Sequence, residues 1–168
     1  MSRLQRFDDV LTSVEEKILA LLLLLMTAAI FWAVVERFAL KFGQGWTDEL
    51  SRYLSVWAAF VGASLGARKG THIGVEAFVS ILPASLRHWT TVLAAVFCFG
   101  FSLALGGYGT QYVLKLHAAG TLSPAMRIPI AWAYAAIPCG GILMSFHYLT
   151  GLVGLLTGKD GSKPEGEA

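Results

Sequence analysis

Long runs of uncharged, mostly apolar residues alternate with short polar segments along this chain. A helix needs about 20 apolar residues to cross the hydrocarbon core of a bilayer. Three runs meet that length and predict membrane spans at about 18–38, 89–114 and 129–156. Pro129 is compatible with the first turn of the last span, whereas Pro138 should kink the same helix.

A fourth apolar run is too short to span a membrane by itself, since it is uncharged only over residues 54–67. A span here must therefore begin near residue 47 and include its own charged start. The sequence predicts a second span at 47–68 whose first turn lies at the membrane edge. The expected fold is an all-α integral membrane protein with four transmembrane helices in one domain, residues 1–158.

Two further helices are expected outside the spans. Apolar residues at spacings of three and four predict an amphipathic interfacial helix at about 3–16. The apolar stripe consists of Leu4, Phe7, Leu11, Val14 and Ile18. The alternative is a solvated extension of the first span. A short surface helix ended by Pro83 is predicted between spans two and three, and the polar tail 159–168 is expected to be disordered.

Composition agrees with a membrane protein. Hydrophobic residues make up 55% of the chain and charged residues 14%, whereas a soluble domain carries about 25% charged residues. The net charge of +2, without a basic stripe, argues against nucleic-acid binding. Cys98 and Cys139 lie in apolar runs without a CxxC motif, so they are interpreted as small buried hydrophobic residues.

The distribution of Lys and Arg predicts the orientation, because cytoplasmic segments carry an excess of these residues. On the side of the two termini lie Arg3, Arg6, Lys17, Arg68, Lys69, Arg87, Lys159 and Lys163, and on the other side Arg37, Lys41, Arg52, Lys115 and Arg127. The excess on the first side predicts that both termini are cytoplasmic.

A charged cluster marks the start of the second span: Trp46, Asp48, Glu49 and Arg52. Thr47 is expected to cap the helix, and acidic residues in a first turn suit the helix dipole. Both carboxylates are three or four residues from Arg52, so they are expected to pair with it.

Three interpretations of this cluster are open: a self-satisfied helix start, a clamp that contacts a partner protein, and an ion- or proton-coupling site. The third is disfavoured, because coupling residues are expected near the midplane of a membrane bundle rather than at a helix end.

Small residues recur every fourth position in the second span, at Ala58, Gly62, Gly66 and Gly70. A stripe of this kind allows another helix to approach closely. It predicts tight helix packing, either within the chain or with a partner.

Polar residues follow at the end of that span. Arg68, His72 and Glu76 are predicted to be interfacial. His72 and Glu76 are four residues apart and could face one metal ion, but two ligands do not make a site. No metal or other cofactor is therefore expected.

A membrane anchor that binds haem or quinone for a redox complex is the alternative function. A membrane haem would need two histidines at similar depth on facing helices. The histidines are His72, His88, His117 and His147, and their predicted positions disfavour such a site. No sequence motif of a hydrolase, nucleotide-binding protein or metalloprotease is present, so no enzymatic activity is expected.

Two blocks resemble the DctQ-like small membrane subunit of tripartite ATP-independent periplasmic (TRAP) transporters. The first is 46–78, with a Trp, an acidic pair, an Arg, a later Trp, and then Arg, Gly and His-Ile in order. The second is 121–144, with Ser-Pro, Ile-Pro, Trp, Tyr and Pro-x-Gly in order. The layout of four spans extends the resemblance over nearly the whole chain.

The resemblance implies an auxiliary subunit in the bacterial inner membrane, beside a large multi-span subunit and in contact with lipid. It implies that a periplasmic binding protein docks transiently and delivers an organic acid, such as a sialic acid or a C4-dicarboxylate. The large subunit of such a transporter holds the substrate and sodium sites. The small subunit is then expected to brace it and to carry no transport chemistry.

Overall fold

The protein is described by a computed structural model over residues 3–41, 45–79 and 84–156, with side chains described for 8–41, 45–68 and 89–154. The helices are α1 (Arg3–Phe38), α2 (Trp46–Val79), α3 (Ala84–Ala118), α4 (Ala131–Tyr134) and α5 (Ala136–Leu156). The described part of the chain is therefore all-α, as the sequence predicts.

Within the described residues, three helical segments are long and apolar enough to cross a membrane: Asp8–Phe38, Trp89–Ala118 and Ala131–Gly154. These correspond to the first, third and fourth predicted spans. The helix α2 is not among them, although it has 34 residues. It carries Asp48, Glu49, Arg52 and Arg68, which lower its mean hydropathy.

The helix α1 corrects the prediction of a separate interfacial helix, because it runs without a break from Arg3 to Phe38. Its buried residues near the N-terminus are polar: Asp8 and Glu15 are 8% and 2% exposed. The apolar residues of the predicted stripe point the other way, with Val14 46% exposed. Leu4 and Phe7 lie outside the residues whose side chains are described.

The prediction of a short surface helix between the second and third spans is also wrong. The helix α2 continues without a break as far as Val79, so Ile73, Ala77 and Phe78, at the start of the predicted surface helix, belong to α2, while Ile81 and Leu82 lie outside the described residues. Neither Pro83 nor the tail 159–168 lies among the described residues.

The long helices form an antiparallel bundle in which α2 packs against α1 and α5, and α3 packs mainly against α5. Contacts between Asp8, Arg68 and His147 mark one end of the bundle, here called the termini end. Contacts between Glu36 and Thr47, and between Glu49 and Ala125, mark the opposite end, here called the loop end.

The closest helix approach lies between α3 and α5 rather than along the predicted stripe of α2. A Cβ atom added to Gly141 would lie 2.6 Å from the backbone nitrogen of Gly106. Along the stripe, Ala58 is buried, but a Cβ atom on Gly62 would meet only the Leu19 side chain, at 3.8 Å. The same atom on Gly66 would meet nothing within 4 Å.

The remaining stripe residue, Gly70, lies outside the part of the chain whose side chains are described. Within the described part, the tight packing that small residues allow therefore joins α5 to α3, and also to α2, where a Cβ atom on Gly140 would lie 2.7 Å from that of Phe60. The helix α2 meets α1 less closely, at Gly62.

The last predicted span is interrupted at Ala135, which separates α4 from α5. Pro138 lies one turn later and cannot donate a hydrogen bond to the carbonyl of Tyr134. The interruption therefore falls where the missing N–H of Pro138 removes one backbone hydrogen bond of the helix. This is next to the position at which the sequence predicts a kink.

Candidate functional site

The charged cluster at the start of α2 lies at the loop end, but its members have different partners from those expected. Among the described residues, Arg52 forms no ion pair and its side chain is exposed. Asp48 instead pairs with Arg37 of α1, at 3.2 Å between Oδ2 and the guanidinium. Because both side chains are more than half exposed, this pair contributes little to stability.

Glu49 makes the most extensive contacts of the cluster. Its Oε2 atom accepts hydrogen bonds from the backbone N–H groups of Ala125 at 2.8 Å and Met126 at 3.0 Å. Its other oxygen accepts a hydrogen bond from the Tyr53 hydroxyl one turn later in α2. The side chain is 6% exposed, so this carboxylate is saturated with donors inside the chain.

The loop that meets Glu49 is a short hairpin between α3 and α4. Its arms join through the bridge between Leu122 and Pro129, and Ser123 donates from its backbone to the Ile128 carbonyl at 2.8 Å. Arg127 turns the chain with a positive φ of 55°. The N–H groups of Ala125 and Met126 at the hairpin tip point inward. The Glu49 carboxylate accepts their hydrogen bonds in place of water.

A second carboxylate at the loop end joins α1 to α2. Glu36 accepts hydrogen bonds from Trp32 Nε1 at 2.9 Å and from the Thr47 hydroxyl at 3.0 Å. The expectation that Thr47 caps α2 is therefore wrong, because the helix already begins at Trp46 and the hydroxyl points to Glu36. Trp46 itself is half-buried.

A cavity of about 420 Å³ opens beside Glu49. It is lined by Gly45, Glu49, Arg52, Tyr53, Val56, Pro124, Ala125, Ile130, Ala133 and Tyr134. Most of the lining is apolar, and the carboxylate in it already has its hydrogen-bond partners. The exposed Arg52 is the charged group of this lining that remains available to a second molecule.

The termini end contains a buried polar network that the sequence analysis missed. Asp8 bridges Arg68 Nε at 3.0 Å and His147 Nδ1 at 2.8 Å. The other ring nitrogen of His147 lies 3.2 Å from Glu15, which also accepts from the Ser64 hydroxyl at 3.2 Å. Arg68, predicted to be interfacial, is thus part of a network that joins α1, α2 and α5.

The same contacts bear on the haem alternative and on metal binding. Both ring nitrogens of His147 face carboxylates, so this histidine offers no free nitrogen to a haem iron. No group of three or more His, Cys, Asp or Glu side chains suited to a metal ion occurs among the described residues. The side chains of His72 and Glu76 lie outside them.

The two cysteines are less buried than the sequence analysis predicts. Cys98 is half-buried and Cys139 is exposed, and both are free thiols. In a membrane helix an exposed apolar position can face lipid or protein, so exposure in the isolated chain is compatible with their apolar surroundings in the sequence.

Comparison with known proteins adds an independent result. Residues 26–158 match the family model described as tripartite ATP-independent periplasmic transporters, DctQ component. The chain is 32% identical over 153 residues to the ectoine TRAP transporter small permease protein of Halomonas elongata, which covers 91% of this chain and 79% of that protein. It is 29% identical over 170 residues to the C4-dicarboxylate TRAP transporter small permease protein of Rhodobacter capsulatus, with coverages of 83% and 75%.

A further match is to a larger protein. The chain is 24% identical over 108 residues to the sialic acid TRAP transporter permease protein of Haemophilus influenzae. The match covers 62% of this chain but only 17% of that protein. A segment similar to this chain therefore forms a small part of a longer permease polypeptide.

Proposed function

The chain belongs to the DctQ component family of TRAP transporters, and from this premise we propose that it braces the large permease subunit without carrying transport chemistry. Its relatives are named as transporter subunits rather than enzymes. The observation that carries the proposal is the match to part of a longer permease in Haemophilus influenzae. A unit that can be covalently joined to a permease is expected to lie beside one when it is a separate chain.

The polar contacts of the described residues support the absence of transport chemistry. A coupling site needs a carboxylate or carbonyl that is open to an ion or substrate in the bundle. The buried carboxylates Glu15, Glu36 and Glu49 instead accept hydrogen bonds from groups of the same chain. They hold helices and a loop together, which is the work of a scaffold.

Exposed apolar side chains on α1 and α3 supply a surface for the large subunit or for lipid. They include Leu24 and Phe31 of α1, and Phe97 and Phe101 of α3. A membrane protein of this size needs lipid or a partner to cover such a surface, since water cannot. Within the complex, the large subunit covers part of it and membrane lipid covers the rest.

The helix α2 is the fourth span of the proposed arrangement. It is antiparallel to α1 and parallel to α5, since Arg68 of α2 and His147 of α5 both meet Asp8 at the termini end. Its 34 residues measure about 50 Å at the helical rise. It therefore runs the full length between the two ends of a bundle whose other long helices are apolar enough to span. The Lys and Arg distribution then places both termini in the cytoplasm and the loop end in the periplasm.

The transported substrate is an organic acid delivered by a periplasmic binding protein, and import is driven by sodium through the large subunit. The relatives carry names that specify ectoine, a C4-dicarboxylate and a sialic acid. The two small permease relatives are thus named for different substrates, although both are similar to this one chain. Substrate choice is accordingly assigned to the partners.

Arg52 is the residue proposed to contact a partner at the loop end, because it is exposed and has no ion pair among the described residues. The test is to co-express the tagged chain with its large permease and to purify the complex. We expect the wild-type chain to retain the permease and Arg52→Ala to lower the yield of complex about tenfold, the loss of one charge-assisted contact.

Two controls complete this experiment. The melting temperature of isolated Arg52→Ala should equal that of the wild type, because the side chain makes no ion pair in the chain. Arg127→Ala, which removes an exposed cation from the nearby hairpin, should leave the yield unchanged. Failure of the wild-type chain to retain the permease would contradict the scaffold, and full yield with Arg52→Ala would contradict this residue's role alone.

A further inference from the structure

His147 lies between two carboxylates in the interior of the termini end. Its side chain is 0% exposed. Nδ1 is 2.8 Å from Asp8 Oδ1 and Nε2 is 3.2 Å from Glu15 Oε2. Both distances are within the range of hydrogen bonds, so each ring nitrogen is positioned to share a hydrogen with a carboxylate oxygen.

If the His147 ring is neutral and both acids are ionised, one of the two contacts between ring and acid lacks a hydrogen. A neutral imidazole has one donor and one acceptor nitrogen, and an ionised carboxylate only accepts. Two carboxylates facing one neutral ring would therefore leave one nitrogen lone pair against a carboxylate oxygen. The extra proton must be on the ring or on one of the two acids.

The neighbours of the two acids favour the ring. Asp8 Oδ2 is 3.0 Å from Arg68 Nε, and because a guanidinium can only donate, this oxygen is positioned as an acceptor. Glu15 also acts as an acceptor, from the Ser64 hydroxyl at 3.2 Å. Imidazole is, moreover, more basic than a carboxyl group.

We propose that His147 is protonated, and that the resulting imidazolium holds α5 against α1 through its contacts with Asp8 and Glu15. The described groups then alternate in charge from Arg68 through Asp8 and His147 to Glu15. His147 is a positioning residue. The proton on its ring lies at the termini end, away from the contact with the large subunit that is proposed at the loop end.

The surroundings of the ring define what the loss of its proton would do. The charged groups that face it come from α1, as Asp8 and Glu15, and from α2, as Arg68 behind Asp8. Loss of the proton would place a nitrogen lone pair against a carboxylate oxygen, which would weaken the contact between α5 and α1.

The direct test is nitrogen NMR of the full chain in lipid nanodiscs, with ¹⁵N-labelled histidine and the His147 signals assigned from their absence in His147→Gln. We expect both ring nitrogens of His147 to show the chemical shifts of protonated nitrogens at neutral pH. A shift of an unprotonated nitrogen for either atom would overturn the proposal.

A second test uses charge compensation and needs no assignment. His147→Gln should lower the melting temperature by about 5 °C or more, because it leaves two acids without their shared cation. The double variant Glu15→Gln with His147→Gln removes one negative charge as well, and should recover at least half of that loss. No recovery would contradict an ionic role of the ring.

The matched control is His117→Gln, which changes an exposed histidine of α3 and should leave the melting temperature unchanged. If His147→Gln does not fold, changing His72, His88 and His117 to Gln leaves His147 as the remaining histidine of the chain, so its nitrogen signals are assigned without that variant and still decide the question.

Discussion

The two ends of the bundle hold their helices with the same kind of group, a buried carboxylate, but satisfy it in different ways. At the loop end, Glu36 and Glu49 accept hydrogen bonds from neutral donors: an indole, hydroxyl groups and backbone N–H groups. At the termini end, Asp8 and Glu15 face the cationic Arg68 and the ring of His147.

The difference indicates how each end can fail. Removing a neutral donor from one of these carboxylates costs one hydrogen bond to a charged group, about 1.5–3 kcal/mol. Removing one member of a buried ion pair leaves an uncompensated charge, which costs about 3–5 kcal/mol. The termini end is therefore expected to be the more sensitive of the two, although its residues are the less conspicuous in the sequence.

The largest effect in this comparison is expected from Asp8→Ala. Asp8 contacts both Arg68 and His147, so its removal leaves the guanidinium and the imidazole ring without their shared partner. We expect a loss of about 3 kcal/mol in the free energy of unfolding, measured by thermal or denaturant unfolding in nanodiscs. Asp9→Ala is the matched control.

Asp9 also pairs with Arg68 but is half exposed, so water screens and replaces its contacts. Its removal should cost less than about 1 kcal/mol. Equal losses for the two neighbouring acids would show that burial does not distinguish them, and the contrast between the two ends would then lose its basis.

A smaller effect is expected from Glu49→Ala at the loop end. It leaves the backbone N–H groups of Ala125 and Met126 without an acceptor. We expect a loss of about 2 kcal/mol and faster hydrogen exchange at these two amides, read by mass spectrometry or NMR.

Asp48→Ala is the control for this prediction, since it removes the adjacent acid and its exposed pair with Arg37. That change should cost about 0–1 kcal/mol and leave exchange in the hairpin unchanged. Unchanged exchange in Glu49→Ala would mean that the carboxylate does not hold the hairpin.

The sequence predicts the helices better than it predicts which residues contact one another. The apolar runs of α1, α3 and α5 are visible because a bilayer requires length and low charge. Glu49 could be identified because it stands in a charged cluster beside a short apolar run. Its acceptor role could not, because Ala125 is 76 positions away and contributes only its backbone.

The termini end was harder to predict for a different reason. The amphipathic interpretation of residues 3–16 assumes that polar side chains face water, whereas Asp8 and Glu15 face the bundle. Their partner His147 is 139 positions from Asp8, and a single histidine in an apolar run carries no signal of two acids at the far end of the chain. In a membrane, a periodic polar face can equally mark the interior of a bundle.

The most direct test of the central claim, that this subunit is a scaffold without transport chemistry, is the rate of uptake per assembled complex. Complexes containing Asp8→Ala, Glu49→Ala or the wild-type chain are reconstituted in proteoliposomes with their large permease, their binding protein and its labelled organic acid under a sodium gradient. The account predicts that total uptake falls in proportion to the amount of complex, so that the rate per complex stays the same. A variant that assembles fully but no longer supports uptake would contradict it.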